Sequence, residues 1–113
     1  MMKNINFDYD TENDSLFIYD SNSKSKASVE MDDFIIDFNS NKEICAIEIL
    51  NASGFFQELD VKEPLNEIEN CKMNITNKES FFFIKFIFTF KSKRELKTPL
   101  IIPTIKESSP AIA

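Results

Sequence analysis

The chain has no histidine, no tryptophan and a single glycine among its 113 residues. Without histidine it lacks the side chain that most often serves as a general base, and the commonest neutral metal ligand. One glycine, Gly54, cannot furnish the Gly-rich loop through which backbone N–H groups cradle a phosphate. Two cysteines, Cys45 and Cys71, are too few for a zinc cluster and lie far apart in sequence. Each is expected to be a free, buried thiol, as is usual in a reducing compartment, and neither has a histidine to activate it as a nucleophile. Long apolar stretches are also missing. The longest, residues 81–90, is interrupted by Lys85 and is half of the roughly 20 residues a membrane-spanning helix needs. Residues 1–10 are polar and acidic, without the apolar segment of a secretion signal. The expectation is a cytoplasmic, non-enzymatic protein that needs no cofactor and no metal and does not enter a membrane.

What is present fits a small folded protein. Hydrophobic residues make up 42% of the chain and charged residues 28%, a balance that argues for a globular fold and against general disorder. The length predicts a single domain, placed at residues 1–106, with a flexible tail at 107–113. Twelve of the fourteen aromatic residues are Phe. The net charge is -6 and is unevenly placed: residues 1–70 sum to -11 and residues 71–113 to +5. Such asymmetry can mark a bipolar surface that pairs head to tail, or two solvated faces of one domain.

Period-two alternation predicts most of the elements. Ile5, Phe7 and Tyr9 alternate with polar residues, 10–14 is a turn, and 16–19 returns as a strand. A polar loop follows at 20–26 and a short strand at 27–31. Residues 34–38 and 43–50 form a second hairpin around the turn at 39–42. Residues 54–59 predict a short helix, in which Phe55, Phe56 and Leu59 can share a stripe. Pro64 suits the first turn of a second short helix at 65–69. Residues 72–76, 81–91 and 100–102 read as strands. The fold class is therefore α+β: a mainly antiparallel sheet of hairpins, about six or seven strands, with one or two short helices between residues 53 and 69. A parallel sheet would need crossover helices for which the chain has no room.

Two pieces carry a resemblance. The first, residues 9–18, reads Y-D-x-E-x-D-x-L-x-I; the second joins Asp33-Phe34-Ile35-Ile36-Asp37-Phe38 to Ile47-Glu48-Ile49-Leu50-Asn51-Ala52-Ser53. Together, over residues 5–53, they resemble the DUF2283 family of small prokaryotic proteins, whose function is not established. The resemblance implies a hairpin core at 5–53, with 70–106 an added strand region. The chain departs from the family pattern at the turn 39–42, where a glycine is usual, at Ala46, again in place of glycine, and at Asn51, in place of aspartate. Physics gives the motif residues structural roles: Asp10 and Asp14 accept backbone N–H groups across the turn, Glu12 sits at its tip, and Asn51 and Ser53 cap the following helix. Glu48, among apolar neighbours, either faces solvent or pairs with a lysine such as Lys85.

Chemistry offers few openings. The acidic run Asp8, Asp10, Glu12 and Asp14 supplies oxygens for a hard cation, but lacks the glycine and the final glutamate of an EF-hand loop. Lys91, Lys93, Arg94 and Lys97 could contact an anion, which makes a nucleic-acid or small-ligand binding module the alternative reading, although the chain as a whole is acidic. The phenylalanine stripe is the strongest clue. Phe82, Phe86, Phe88 and Phe90 line one face of a single strand, and Phe81 and Phe83 the other. Both faces need cover, either from a sheet folded over them or from a second subunit. The leading expectation is a homodimer that acts through protein–protein contacts, with Phe81, Phe82, Phe83, Phe86, Phe88 and Phe90 as candidate interface.

Overall fold

Ile5 divides the opening segment between two layers. The computed structural model describes residues 2–103, so the tail expected at 107–113 and the end of the expected 1–106 unit lie outside the described residues. Strand β1 (Lys3–Asn4) joins one sheet and β2 (Asn6–Asp10) the other. Between them Ile5 turns into the core, and its N–H donates to the Cys71 carbonyl at 3.0 Å. Strands β3 (Ser15–Tyr19), β4 (Ala27–Met31), β5 (Phe34–Phe38) and β6 (Ile44–Ile49) follow. Helix α1 (Ala52–Glu58) comes next, then a 3-10 turn at Leu65–Glu67. Strands β7 (Ile68–Asn77), β8 (Phe81–Phe90) and β9 (Glu95–Pro103) complete the described chain.

The order is β2-β3-β6-β5-β4 in a five-stranded sheet and β1-β7-β8-β9 in a four-stranded one. All pairings are antiparallel. The α+β, mainly antiparallel architecture expected from alternation is present. The described residues hold nine strands rather than six or seven, partly because the first alternating segment is cut in two at Ile5. The helix expected at 65–69 is a single 3-10 turn, and Ile68 already opens β7. Pro64 before it is extended, with ψ 142; Ile68 is buried, and after a bulge between Ile68 and Asn70 alternate side chains, Cys71 and Met73, enter the core as a strand's must. Strand β9 begins at Glu95 rather than Leu100. Pro99 and Pro103 are tolerated because β9 is an edge strand.

The inner faces of the two sheets and one side of α1 share a single core. Leu16, Ile18, Ile36, Ile47 and Ile49 come from one sheet, and Cys71, Ile84, Phe88 and Phe90 from the other; all are fully buried. Phe38 meets Phe82 at 6.0 Å between ring centroids, and Phe56 of α1 meets Phe88 at 5.1 Å. The phenylalanine stripe is thus covered inside one chain. Fully burying each such side chain stabilises the fold by about 1.5–3 kcal/mol. Helix α1 ends without glycine. Asp60, at φ 62, donates its N–H to the Gln57 carbonyl, and Val61 donates to that of Phe56. These two bonds close the last turn in the Schellman pattern. Among the described residues no helix is long and apolar enough to cross a membrane.

Candidate functional site

The motif residues meet at a polar junction between the β2–β3 turn and the start of α1. Asp14, in the left-handed region at φ 50, turns its carboxylate away from its own turn and toward the helix. Its Oδ2 accepts the Ser53 hydroxyl at 2.6 Å, and its Oδ1 accepts the Ser53 N–H at 3.0 Å and the Tyr9 phenol at 2.6 Å. Its backbone carbonyl accepts the N–H of Ala52 at 2.9 Å. Asp14 therefore supplies the cap of α1 from 39 residues away. Asn51 occupies the cap position in the left-handed conformation, φ 51, but its side chain makes no capping bond; its amide lies against Gly54 instead. Ser53 is the donor at this junction, not the capping acceptor expected from sequence.

Asp10 does close the turn. It accepts the N–H groups of Glu12 and Asn13, at 3.0 and 3.2 Å, and the Asn13 amide at 2.8 Å. These bonds, that from the Asn13 side chain foremost, hold its carboxyl below the ordinary range. Glu12 is exposed in the turn. At Asp14, burial pushes the carboxyl up, but the bonds from the Ser53 hydroxyl, the Tyr9 phenol and the Ser53 N–H outweigh it and leave the group below its usual value. Burial, reinforced by that bond and the Asp14 charge, pushes the Tyr9 phenol up to about 12. A carboxylate with a lowered pKa and three donors already on it is a weak proton acceptor near neutral pH. The geometry suits a lock between turn and helix. A cleft of about 540 Å³ opens beside it, lined in part by Tyr9, Ser53, Gln57 and Asn66. Among the described residues no cluster of three or more acidic, cysteine or histidine side chains could hold a metal ion.

The candidate interface residues divide between two sides of β8. Phe82, Phe86, Phe88 and Phe90 lie in the core, while Phe81 and Phe83 are half-buried on the outer face of the four-stranded sheet. That face carries Phe83 directly opposite Ile101, which is 59% exposed. The same face holds a transverse row Lys72–Ile87–Lys97 across β7, β8 and β9. Lys85 stands beside the row with its Nζ 5.8 Å from the Phe83 ring centre. The outer face of the five-stranded sheet carries the row Asp8–Phe17–Glu48–Ile35–Glu30 across all five strands. There Phe17 and Tyr19 stack at 4.9 Å. Glu48 and Lys85 thus lie on opposite outer faces and do not pair within the chain.

The candidate anion-contacting residues are not brought together either. Lys93 meets Glu69 at 3.3 Å, and Arg94 meets Glu63 at 3.1 Å and the Asp60 carbonyl at 3.3 Å. Lys91 is exposed at the β8–β9 turn, and Lys97 belongs to the outer-face row. Sequence reasoning missed two features. The long-range partner of Asp14 carries no local signal. The exposed Phe83–Ile101 pair was legible only by extending the alternation of β9 back past Pro99.

Residues 6–53 match the model of DUF2283, a family described as protein of unknown function. The match covers the five-stranded sheet and the start of α1, and the four-stranded sheet's β7, β8 and β9 lie beyond it. An uncharacterized protein of Methanocaldococcus jannaschii is 48% identical over 52 residues, 46% of this chain and 45% of that protein. A Methanosarcina mazei protein that carries the name "Putative hypoxanthine phosphoribosyltransferase" is 44% identical over 69 residues, 61% of this chain and 54% of that protein. The chain spans about half the length of these curated relatives. No solved structure gives a significant match.

Proposed function

We propose that the protein is a cytoplasmic, non-enzymatic binding module that works through protein–protein contact, self-association included, at the outer face of its four-stranded sheet. One observation carries this reading: Phe83 and Ile101 lie opposite each other on that face, with Ile101 59% exposed and Lys85 beside Phe83. Apolar side chains rimmed by charge are the usual composition of a contact surface. The free, buried thiols Cys45 and Cys71 suit a reducing compartment. The name of the Methanosarcina mazei relative adds little support for phosphoribosyl transfer here. Cradling a phosphorylated sugar calls for a flexible glycine-containing loop, and the one glycine lies inside α1. A nucleic-acid or small-ligand role for residues 91–97 has less support, because Lys93 and Arg94 already meet carboxylates.

A photocrosslinking amino acid placed at Ile101, and separately at exposed Lys24, tests the reading in cells that make the protein. A discrete higher-mass product from position 101 and none from position 24 is expected. No product at 101, or the same products from both positions, overturns it.

A further inference from the structure

We infer that the partner of this face is a second copy of the chain, which presents the opposite outer face. This rests on the contact surface proposed above and adds its occupant. Adjacent strands lie about 4.8 Å apart, so a transverse row of side chains has the same spacing on either sheet. On one side of the molecule the row reads Lys72–Ile87–Lys97. On the other it reads Asp8–Phe17–Glu48–Ile35–Glu30. Each alternates charge with an apolar residue, with the same period and opposite sign. Laid face to face, two lysines fall on two carboxylates while Ile87 falls on Phe17 or Ile35. Within one chain these groups cannot meet, since the two sheets pack by their inner faces and turn these rows outward. None of the five charged residues on the rows makes an ion pair among the described residues.

Charge decides between the two ways a copy can dock. Two copies pairing through the same lysine face would set like charges against each other, which costs several kcal/mol in a desolvated contact. Docking unlike faces removes that cost. A contact between unlike faces is head-to-tail, so it repeats from copy to copy into stacks or closed rings.

Charge reversal on one face at a time gives a decisive test. Lys72→Glu with Lys97→Glu removes the basic row and leaves the acidic one; Glu30→Lys with Glu48→Lys does the reverse. Circular dichroism first verifies that both variants keep the wild-type fold. Light scattering then follows mass against concentration. The wild type is expected to rise above 13.1 kDa with concentration and to return toward it as salt is raised from about 0.05 to about 1 M. Each variant alone is expected to stay monomeric. Their equimolar mixture is expected to rise above 13.1 kDa with concentration again, because the two reversed rows match each other as the two native rows do. A wild type that is monomeric at every concentration overturns the inference, and crosslinking at position 101 then reads separately whether another protein occupies the face. A wild-type assembly broken by the lysine reversals but untouched by the glutamate reversals overturns it too, while retaining the four-stranded face as a contact surface.

Discussion

Asp14 binds three donors contributed by two elements, and that makes it the side chain on which the β2–β3 turn and α1 depend together. Truncation leaves the Tyr9 phenol and the N–H and hydroxyl of Ser53 without their acceptor. Asp14→Ala is therefore expected to destabilise the fold by about 1–3 kcal/mol, read by denaturant unfolding. The pH dependence has a definite sign. Asp14 and Asp10 titrate below their ordinary values in the folded chain, so their contribution is complete above those values and is lost as pH falls through the folded ones. Tyr9 is raised from 10.0 to about 12; its contribution is complete below pH 10 and is lost as pH rises through that interval. Melting temperature should fall at both extremes. Asp14→Asn should flatten the acid limb, and Tyr9→Phe the alkaline limb.

At the scale of elements, β8 states the same alternation twice with different consequences. Phe88 is fully buried and Phe83 half-buried on the outer face. Phe88→Ala is expected to cost about 3–5 kcal/mol through the cavity it leaves. Phe83→Ser is expected to stay near the small effects of surface substitutions. Chemical denaturation of the two variants checks the contrast. This strand also shows what the sequence makes legible. Period two located β8 and both of its faces, and the hairpins of the five-stranded sheet came from the same signal. What covers each face did not follow, because cover is a property of tertiary packing: the stripe from Phe82 to Phe90 reads alike whether a second layer or a second chain lies on it. The cap of α1 was hidden for a related reason. Asn51 and Ser53 have the right chemistry at the right place, and only the return of the chain brings Asp14 within 2.6 Å of the Ser53 hydroxyl. Where a strand begins was also hard to read beside proline, as at Ile68 after Pro64 and at Glu95 before Pro99.

For the whole molecule, the segment that matches the family is one layer of two. Ile18, Ile36 and Ile47 are fully buried, on the side of their sheet that faces the four-stranded layer. A fragment of residues 2–64 retains that surface and loses β7, β8 and β9. It is expected to enhance the fluorescence of an apolar dye far more than the full chain does, and to melt without a cooperative transition as a monomer. A cooperative melt of the monomeric fragment would show that the second layer is dispensable. Charge is organised at this scale as well: the acidic row lies within the family-matching segment and the basic row beyond it.

The short strand at Lys3–Asn4 has a consequence for how the chain is made. It pairs with β7, at Met73 and Lys72, while the residues immediately after it pair with β3. On the ribosome the five-stranded hairpins can zip as they emerge, but the first few residues must wait until about seventy others have appeared. Their partner β7 appears before β8, which is made next. The earliest part of the chain to be synthesised is thus unable to pair until β7 has been made, long after the hairpins next to it can close.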